Sequence, residues 1–316
     1  MTVRNLRTVL LIAPVMDQLQ KRLEAGYVVH KLYEQADPAA YLAQNGAGIL
    51  VVVTRGDVGV STPVLEALPS VGLVAVFGVG TDGVDLNYAR RRGIDITITS
   101  GALTEDVADM ALGLLLSTAR RLCQGDRFVR EGRWPLETPP LSSQVSGKRI
   151  GILGMGNIGR AIARRAGGFD MQIRYTDRKR NDALPYLFCP DLPALARDSD
   201  FLVIAASGGK ESQGMVNRLI FQALPDHALV INIARGSIVN EPDLISALQQ
   251  GDIAGAGLDV YADEPNVPPA LLAMDNVVLQ PHTASATWET RRKMSDIVFA
   301  NVEAFFSQRP LPNKLE

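Results

Sequence analysis

The sequence predicts an α/β protein with two domains, each built around a doubly wound parallel sheet. Three observations lead to this fold class. The chain has 316 residues, 47% of them hydrophobic and 21% charged, which is enough for two globular cores. Short apolar runs bounded by glycine or proline recur along it, as expected of strands that helices cover on both faces. Helical patterns separate these runs, which is typical of doubly wound sheets.

The N-terminal part contains three candidate strands, Thr8–Ala13, Gly48–Val53 and Gly72–Phe77. Helix-like stretches lie between them, so this part is predicted to form a small α/β unit. The clearest helical pattern of the chain follows, from Thr104 to Leu122, with an apolar stripe at helical spacing. A helix of this length is suited to joining two domains.

A second α/β series begins after a stretch rich in proline and serine. Its six candidate strands are Arg149–Leu153, Gln172–Thr176, Phe201–Ala206, Ala228–Ile233, Ile253–Leu258 and Val277–Leu279. Six such strands match a Rossmann sheet. The last helix, near Trp288–Gln308, is expected to return to the first domain. We therefore predict two Rossmann-like domains: a discontinuous one of residues 1–100 and 285–316, and one of residues 101–284.

The bulk properties argue against several classes of function. A net charge of −2 offers no general attraction to nucleic acid or to anionic membranes. The apolar run Val9–Ala13 ends at Pro14, which favours a buried strand over a signal peptide. No stretch reaches the roughly 18 apolar residues that span a bilayer. Cys123 and Cys189 form no metal-binding or disulfide spacing. We expect a cytoplasmic protein without metal, nucleic-acid or membrane partners.

A glycine motif follows the strand Arg149–Leu153 directly and leads into a helical run. It reads Gly154-Met155-Gly156-Asn157-Ile158-Gly159. The first glycine permits a tight turn, the second lets the backbone approach a pyrophosphate, and the third lets helix and strand pack closely. Backbone N–H groups and the helix dipole then face the phosphates. The motif predicts that residues 101–284 form a dinucleotide-binding domain.

The choice between NAD and NADP depends on residues that follow the next candidate strand. Asp177 lies 18 positions after Gly159, where a carboxylate accepts hydrogen bonds from the adenosine ribose and repels a 2′-phosphate, as NAD requires. Arg178, Lys179 and Arg180 come next and suit the 2′-phosphate of NADP. Both cofactors stay open here. We favour NAD, and count Asp177 and Arg178 among the cofactor contacts.

Further cofactor contacts are expected where strands end, because the carboxyl ends of parallel strands line the ligand crevice. Ala206 ends one candidate strand and Ser207 follows it, and Ala234 follows another. The loop that begins at Ser207 continues with Gly208, Gly209 and Lys210. This loop could equally be a plain flexible turn.

Three polar residues that follow strands of the second domain form a chemical set. They are Arg235, Glu264 and His282. Reducing a 2-keto acid requires a hydride at the carbonyl carbon and a proton at its oxygen, and His282 can donate that proton near neutral pH. Glu264 can hold the imidazole and raise its pKa. Arg235 can bind a carboxylate through a fork of donors. Taken singly, they could instead be an ion pair, a helix start and a buried histidine.

Several motifs spread over nearly the full length carry a resemblance to a known family. They are Phe77-Gly78-Val79-Gly80-Thr81-Asp82, Val145-Ser146-Gly147-Lys148-Arg149, the glycine motif, Asn232-Ile233-Ala234-Arg235-Gly236-Ser237, Gly257-Leu258-Asp259-Val260-Tyr261 and Pro281-His282. The chain resembles the D-isomer-specific 2-hydroxyacid dehydrogenases, and most of all their glyoxylate/hydroxypyruvate reductase branch. The resemblance implies NAD(P)H-dependent reduction of a small 2-keto acid, a homodimer, and an active-site cleft between two domains.

The resemblance also implies roles for individual residues. Residues 1–100 and 285–316 would form the substrate-binding domain, and Arg235, Glu264 and His282 would act as assigned above. Backbone N–H groups of Val79 and Gly80 would bind the substrate carboxylate. Asp259 would lie near the nicotinamide carboxamide, unless it is a structural acid at a strand end.

Two departures bear on these roles. The loop Ser207–Lys210 replaces a Leu-Thr-Pro-like stretch of related reductases, which puts the cofactor contacts there in doubt. The stretch Tyr175–Arg178 is similar to that of NAD-linked formate dehydrogenases, which pair their histidine with glutamine. Here Glu264 takes the pairing position, which argues against formate as the substrate.

The roles of three more residues stay open at the level of sequence. Arg55 follows the strand Gly48–Val53 and is a candidate to contact a polar group of the substrate, or else a solvated loop residue. Trp134 and Trp288 are candidates to shape the substrate pocket, Trp134 from a partner subunit, although packing explains each equally well. The rival to an enzymatic function is a regulatory protein that senses NAD on the same fold, like the C-terminal-binding corepressors.

Overall fold

The computed structural model describes residues 7–315 and divides into two compact units. One unit comprises the described residues up to Leu103 together with those from Ala286 onward, and the other is Thr104–Ser285. The chain thus leaves the first unit and returns to it at the end, as the predicted discontinuous architecture requires.

The first unit contains a five-stranded parallel sheet in the order β2-β1-β3-β4-β5. Its strands are β1 (Thr8–Leu11), β2 (Val28–Lys31), β3 (Val51–Arg55), β4 (Leu73–Phe77) and β5 (Asp95–Thr97). Its helices are α1 (Asp17–Gly26), α2 (Pro38–Asn45), α3 (Thr62–Glu66), α4 (Leu86–Arg92) and α12 (Trp288–Phe306). The central strands β1, β3 and β4 are almost wholly buried, as expected of a sheet covered on both faces.

The second unit contains a seven-stranded parallel sheet in the order β12-β11-β10-β9-β6-β7-β8. Its strands are β6 (Arg149–Leu153), β7 (Gln172–Thr176), β8 (Leu187–Phe188), β9 (Phe201–Ile204), β10 (Leu229–Asn232), β11 (Gly255–Leu258) and β12 (Val277–Leu279). Its helices are α5 (Thr104–Ala119), α6 (Leu122–Arg130), α7 (Asn157–Gly167), α8 (Leu192–Arg197), α9 (Arg218–Ala223), α10 (Glu241–Gln250) and α11 (Pro269–Leu272). The strand order reverses between β6 and β9, which is where such sheets bind ligands.

The predicted fold class is confirmed, but the sequence missed three strands. β2 was overlooked because its residues are only partly buried and show no apolar run. β5 and β8 have only three and two residues, which is too short for a pattern to appear. All three lie at the edge of a sheet. Edge strands are less buried than central ones, so their residues need not be uniformly apolar.

The predicted helix Thr104–Leu122 is in fact two helices. α5 ends at Ala119, and Arg121 adopts a left-handed backbone conformation with φ of 53°. α6 then begins at Leu122. Arg120 and Arg121 therefore lie at a sharp break in the chain.

Candidate active site

The glycine motif forms a tight turn between β6 and α7. Gly154 has a left-handed φ of 92°, and a Cβ placed on it would lie 2.6 Å from the Cα of Ala206. A Cβ on Gly159 would lie 2.1 Å from the carbonyl oxygen of Gly154. Both distances are far below any real contact, so only glycine permits this packing. The structure thereby brings the glycine turn against the predicted contact residue Ala206.

The turn leaves an open face at the start of α7. A Cβ on Gly156 would meet no atom of the described residues within 4 Å. α7 begins at Asn157 and continues through Ile158 to Gly167, and the N–H groups of a first helical turn have no partners within the helix. An open, glycine-lined turn beside such N–H groups fits the pyrophosphate of a dinucleotide.

Asp177 lies beside the glycine turn, but its carboxylate already has partners. Oδ2 accepts a hydrogen bond from the N–H of Met155 at 2.8 Å, and Oδ1 accepts one from the N–H of Arg178 at 2.7 Å. Asp177 therefore ties the end of β7 to the glycine turn. The sequence did not predict this role. Because each oxygen already accepts an N–H group of the protein, binding ribose hydroxyls is not the only function of this carboxylate.

A groove of about 650 Å³ opens beside this carboxylate, lined by residues 177–182 with Met155 and Tyr175. Arg178 and Lys179 are exposed there and form no ion pair within residues 7–315. Arg180, in contrast, pairs with Asp182 at 2.7 Å. The groove thus presents two cations that are available to a ligand.

Two further predicted cofactor residues lie at strand ends and are held in different ways. Ser207 is exposed, and its carbonyl oxygen accepts a hydrogen bond from Ser212 Oγ at 2.9 Å. Ala234 is partly buried, and its N–H donates to Asn232 Oδ1 at 3.1 Å. The Ser207 loop is therefore closed by its own hydrogen bonds, and the Ala234 loop is held by a buried side chain.

The loop after β10 is built to present Arg235. Asn232, the last residue of β10, is 1% exposed, and its Nδ2 donates to the carbonyl oxygen of Arg235 at 3.0 Å. A Cβ on Gly236 would lie 1.9 Å from the backbone of Tyr261. The loop after β10 is therefore packed directly on the loop after β11, which carries Glu264.

Glu264 and His282 form a hydrogen-bonded pair. His282 Nδ1 lies 2.6 Å from Glu264 Oε2, and the N–H of Tyr261 donates to Glu264 Oε1 at 3.0 Å. Both oxygens of Glu264 are thus engaged, which fixes the carboxylate. The side chains of His282 and Glu264 keep 37% and 30% of their surface exposed, so the imidazole can reach a ligand through Nε2.

The electrostatics of this pair favour a charged imidazole. The hydrogen bond that His282 donates to Glu264 raises the pKa of His282, against the smaller opposing effect of burial. Burial would raise the pKa of Glu264, but the hydrogen bonds from His282 and Tyr261 bring it below its ordinary value. The charge of Arg235 lowers the pKa of both groups. The structure therefore brings the three predicted residues, Arg235, Glu264 and His282, close enough for the charge of Arg235 to act on the other two.

Asp259 lies directly after β11 and is bound to the loop that carries His282. It is 0% exposed, and its two carboxylate oxygens accept hydrogen bonds from the N–H groups of Thr283 at 2.8 Å and Ala284 at 3.0 Å. Its carbonyl oxygen also accepts from the N–H of His282 at 2.8 Å. Of the two roles that the sequence leaves open for Asp259, these hydrogen bonds are those expected of a structural acid at a strand end.

Asp259 matters because His282 has an unusual backbone. His282 adopts a left-handed φ of 53°, a conformation that residues other than glycine seldom take. The three hydrogen bonds to Asp259 hold that conformation. Burial raises the pKa of Asp259 although the two N–H groups oppose it.

The predicted substrate residues of the first unit lie in the loops after β3 and β4. Val79 and Gly80 follow β4, and neither N–H group donates a hydrogen bond to any atom in the described part of the chain. Arg55 is the last residue of β3 and forms an ion pair with Asp57. Trp134 and Trp288 are 67% and 71% exposed, so neither belongs to the core of its own unit.

Sequence reasoning missed three features that shape the site: the roles of Asn232, Gly236 and Asp259. The available signal was a polar residue at or just after the last position of an apolar strand, which holds for Asn232 and Asp259. A polar group buried there must find partners in the adjoining loop. The close approach at Gly236 involves a loop distant in sequence, so no local pattern could have shown it.

The described residues contain no group of three or more histidine, cysteine, aspartate or glutamate side chains that could hold a metal ion. Among the helices described here, none combines the length and apolar character that crossing a membrane requires.

The chain is similar in sequence to known proteins over nearly its full length. Residues 112–284 match the NAD-binding domain of the D-isomer specific 2-hydroxyacid dehydrogenases. The chain is 42% identical over 303 residues to a 2-ketogluconate reductase of Gluconobacter oxydans, which covers 96% of each protein. It is 39% identical over 303 residues to a glyoxylate/hydroxypyruvate reductase of Arabidopsis thaliana, which covers 96% of this chain and 97% of the relative.

A solved structure shows the same similarity in three dimensions. The NADPH-dependent glyoxylate/hydroxypyruvate reductase of Sinorhizobium meliloti, in complex with NADP and malonate, superposes with a TM-score of 0.93 at 40% identity. The superposition covers 98% of this chain and 96% of the other. The glycine turn, the Glu264–His282 pair beside Arg235 and these full-length similarities agree: the chain belongs to the D-isomer specific 2-hydroxyacid dehydrogenase family.

Proposed function

We propose that this protein reduces a small 2-keto acid, such as glyoxylate or hydroxypyruvate, to the D-2-hydroxy acid with NAD(P)H. The observation that carries the proposal is the Glu264–His282 hydrogen bond of 2.6 Å, at the same sheet edge as the glycine turn. Relatives named as 2-ketogluconate reductase and glyoxylate/hydroxypyruvate reductase, each about 40% identical over nearly the full length, support this class of substrate.

The dinucleotide would be held by the glycine turn and the start of α7, through Gly154, Gly156, Asn157, Ile158 and Gly159. When bound, its reduced nicotinamide supplies the hydride for the carbonyl carbon. Ala206, Ser207 and Ala234 are proposed to line its path. Asp259 is proposed to act on the cofactor region only indirectly, through the loop of His282.

His282 is proposed to donate the proton that the carbonyl oxygen requires. Because Nδ1 is bound to Glu264, Nε2 is the nitrogen available to the substrate. Glu264 stabilises the charged imidazole before the transfer and fixes the ring orientation afterwards. In the reverse direction the neutral imidazole accepts the proton of the hydroxyl group at Nε2.

The substrate carboxylate is proposed to bind Arg235 and the N–H groups of Val79 and Gly80. Arg235 supplies charge and a planar fork of donors, which suits a carboxylate. The N–H groups of Val79 and Gly80 lack partners within the described residues, and successive unpaired amides of this kind bind anions. This role makes residues 1–100 and 285–316 the substrate-binding domain and residues 101–284 the dinucleotide-binding domain.

For the cofactor we infer a preference for NADP(H), although the sequence alone favoured NAD. Both oxygens of Asp177 accept N–H groups of the protein, whereas Arg178 and Lys179 are exposed beside an open groove. Two available cations favour a 2′-phosphate. The Sinorhizobium meliloti relative is named as NADPH-dependent, which agrees with this choice.

The protein is further proposed to act as a homodimer, with Trp134 as a contact to the partner subunit. An exposed tryptophan is typical of an interface residue. Sedimentation equilibrium on the purified protein tests this, and a mass of one chain, 34.1 kDa, at micromolar concentration would contradict it.

The function is tested by following the oxidation of NADPH and of NADH by absorbance with glyoxylate, hydroxypyruvate, 2-ketogluconate and phenylpyruvate. The product of the best pair other than glyoxylate, whose product glycolate is achiral, is then resolved on a chiral column. We expect rapid oxidation of NADPH and a D-2-hydroxy acid. Measurable dinucleotide binding without turnover of any of these acids would contradict the proposal and favour a regulatory role.

A further inference from the structure

A cluster of charged side chains lies at the carboxyl edge of the first unit's sheet, apart from the trio described above. Arg55, the last residue of β3, lies opposite Phe77, the last residue of β4, in the register of the sheet. Arg291, in the first turn of α12, has its guanidinium over the ring of Phe77, 5.6 Å from the centroid. The three side chains are therefore neighbours at one point of the sheet edge.

The charges of this cluster do not balance. Asp57 holds Arg55 with both oxygens, Oδ1 accepting from Nε at 2.9 Å and Oδ2 from Nη2. Within residues 7–315 the guanidinium of Arg291 has no hydrogen-bond or ion-pair partner. Two guanidinium groups and one carboxylate leave an excess of one positive charge, and the donors of Arg291 are unused.

Arg291 is also partly buried, which makes its lack of partners costly. Burial, and then the positive charge of Arg55, lower the pKa of Arg291. A guanidinium that has lost water and gained only a ring face is stabilised when an oxygen of a ligand accepts its N–H groups. The Arg291 guanidinium therefore favours a ligand that carries an acceptor oxygen.

The cluster adjoins the loop proposed to bind the substrate carboxylate. Val79 and Gly80 follow Phe77 after one residue. Gly56, next to Arg55, packs so closely on this loop that a Cβ on it would lie 3.2 Å from the oxygen of Gly80 and 3.5 Å from its nitrogen. A substrate held by these N–H groups would therefore have Arg55 and Arg291 at its side.

We propose that Arg291, together with Arg55, binds oxygen atoms that the substrate carries beyond its keto group. The enzyme would then select 2-keto acids with a distal hydroxyl or carboxylate over acids of the same length without one. This inference rests on the proposed function, since it takes Val79 and Gly80 as the carboxylate site. A site built to bind such an oxygen rejects an analogue that lacks it, because its polar groups are then left unpaired.

The test compares 2-keto acids in pairs of equal carbon number. Hydroxypyruvate and pyruvate differ by a hydroxyl group, and 2-oxoglutarate and 2-oxopentanoate differ by a carboxylate. Arg291→Met keeps an unbranched side chain to cover Phe77, and Arg292→Met, at the exposed neighbouring position, is the matched control. Arg291→Lys keeps the charge without the fork of donors.

We expect the unaltered protein and Arg292→Met to favour the oxygen-bearing acid of at least one pair by about tenfold in kcat/KM. Arg291→Met should reduce that ratio to within about threefold, with glyoxylate, which has no distal group, nearly unchanged. Arg291→Lys should fall between. A preference only in the three-carbon pair identifies a hydroxyl as the ligand, and one only in the five-carbon pair identifies a carboxylate. Equal rates within both pairs, or a ratio that survives Arg291→Met, would overturn the proposal.

Calorimetry separates this proposal from the proposed function. Binding of 2-oxoglutarate and 2-oxopentanoate to the unaltered protein, Arg291→Met and Arg292→Met needs no turnover. If no 2-keto acid is reduced, the proposed function fails, and the titrations still decide the inference. Tighter binding of 2-oxoglutarate that disappears in Arg291→Met alone supports it, whereas equal binding of both acids to the unaltered protein contradicts it for a carboxylate ligand.

Discussion

The two ends of the seven-stranded sheet differ in how their polar groups are arranged. After β10, β11 and β12, loop side chains bind one another: Glu264 holds His282, and Asp259 holds the backbone around it. After β7, Arg178 and Lys179 extend from the surface into an open groove. One end is held by internal hydrogen bonds, and the other presents charge to solvent.

This difference reflects what each end is proposed to do. Proton transfer requires a donor within hydrogen-bond reach of the reacting oxygen, and a small displacement is costly. Attraction of a phosphate acts over a longer range and tolerates flexible side chains. We therefore expect substitutions at the first end to change turnover, and substitutions at the second end to change the choice of cofactor.

The largest effect is expected from His282→Gln, which removes the proton donor. Reductive kcat should fall by about 100-fold or more, while the Kd for NADPH, measured by fluorescence, changes little. His227→Gln is a matched control, because His227 lies on the same unit and pairs with Asp200, away from the trio. Turnover of His282→Gln within a few fold of the unaltered protein would remove His282 from the mechanism.

Asp259→Asn tests whether the buried carboxylate positions His282. An asparagine has one acceptor oxygen where the N–H groups of Thr283 and Ala284 require two. We expect kcat to fall by roughly 10- to 100-fold through misplacement of the imidazole, with a nearly unchanged Kd for NADPH.

The matched control for Asp259→Asn is Asp263→Asn, an exposed carboxylate four residues further on. It should leave kcat unchanged. A purely structural role of Asp259 would lower thermal stability and leave kcat per folded molecule intact. That result would contradict the positioning role.

The cofactor choice is tested by the double substitution Arg178→Ala with Lys179→Ala. Loss of the two cations should lower kcat/KM for NADPH by about tenfold or more, because charge-assisted hydrogen bonds to the phosphate are lost. The kcat/KM for NADH should change little. Arg180→Ala, which removes a cation already paired with Asp182, should have the smaller effect. Equal losses with both cofactors would show that no 2′-phosphate is recognised here.

Glu264→Gln is expected to shift the pH profile more than the maximal rate. The carboxylate raises the pKa of His282, so removing its charge lowers that pKa. Reduction needs the protonated ring, and its upper pH limit should therefore move to lower pH. An unshifted limit would mean that Glu264 does not set the protonation of His282.

The sequence predicted the parts of this site that depend on a local pattern. The glycine turn follows from motif spacing, and the trio from polar residues after strands, because parallel strands deliver their loops to one edge. The anchoring by Asp259 and the contact of Gly236 with Tyr261 depend on loops brought together only by the fold. The hydrogen bond between Met155 and Asp177 was not predicted for the same reason, since the two residues are 22 positions apart.

The charged cluster of the first unit was also only partly predictable from the sequence. Arg55 was singled out from the sequence because it follows a strand, but Arg291 lies 236 positions later, in a helix where Arg292 is its neighbour. Only the ring of Phe77 joins the two. A partly buried, unpaired guanidinium is visible in structure alone.

The pH dependence of kcat/KM in both directions on the unaltered protein is the most direct test of proton transfer by His282. One proton donor with a raised pKa should make reduction fall as pH rises through a value above about 6.5, the ordinary value of histidine. Oxidation of the D-2-hydroxy acid, which needs the neutral ring, should rise through the same value. Two profiles that change in the same direction, or show no common pKa, would contradict the role of the Glu264–His282 pair.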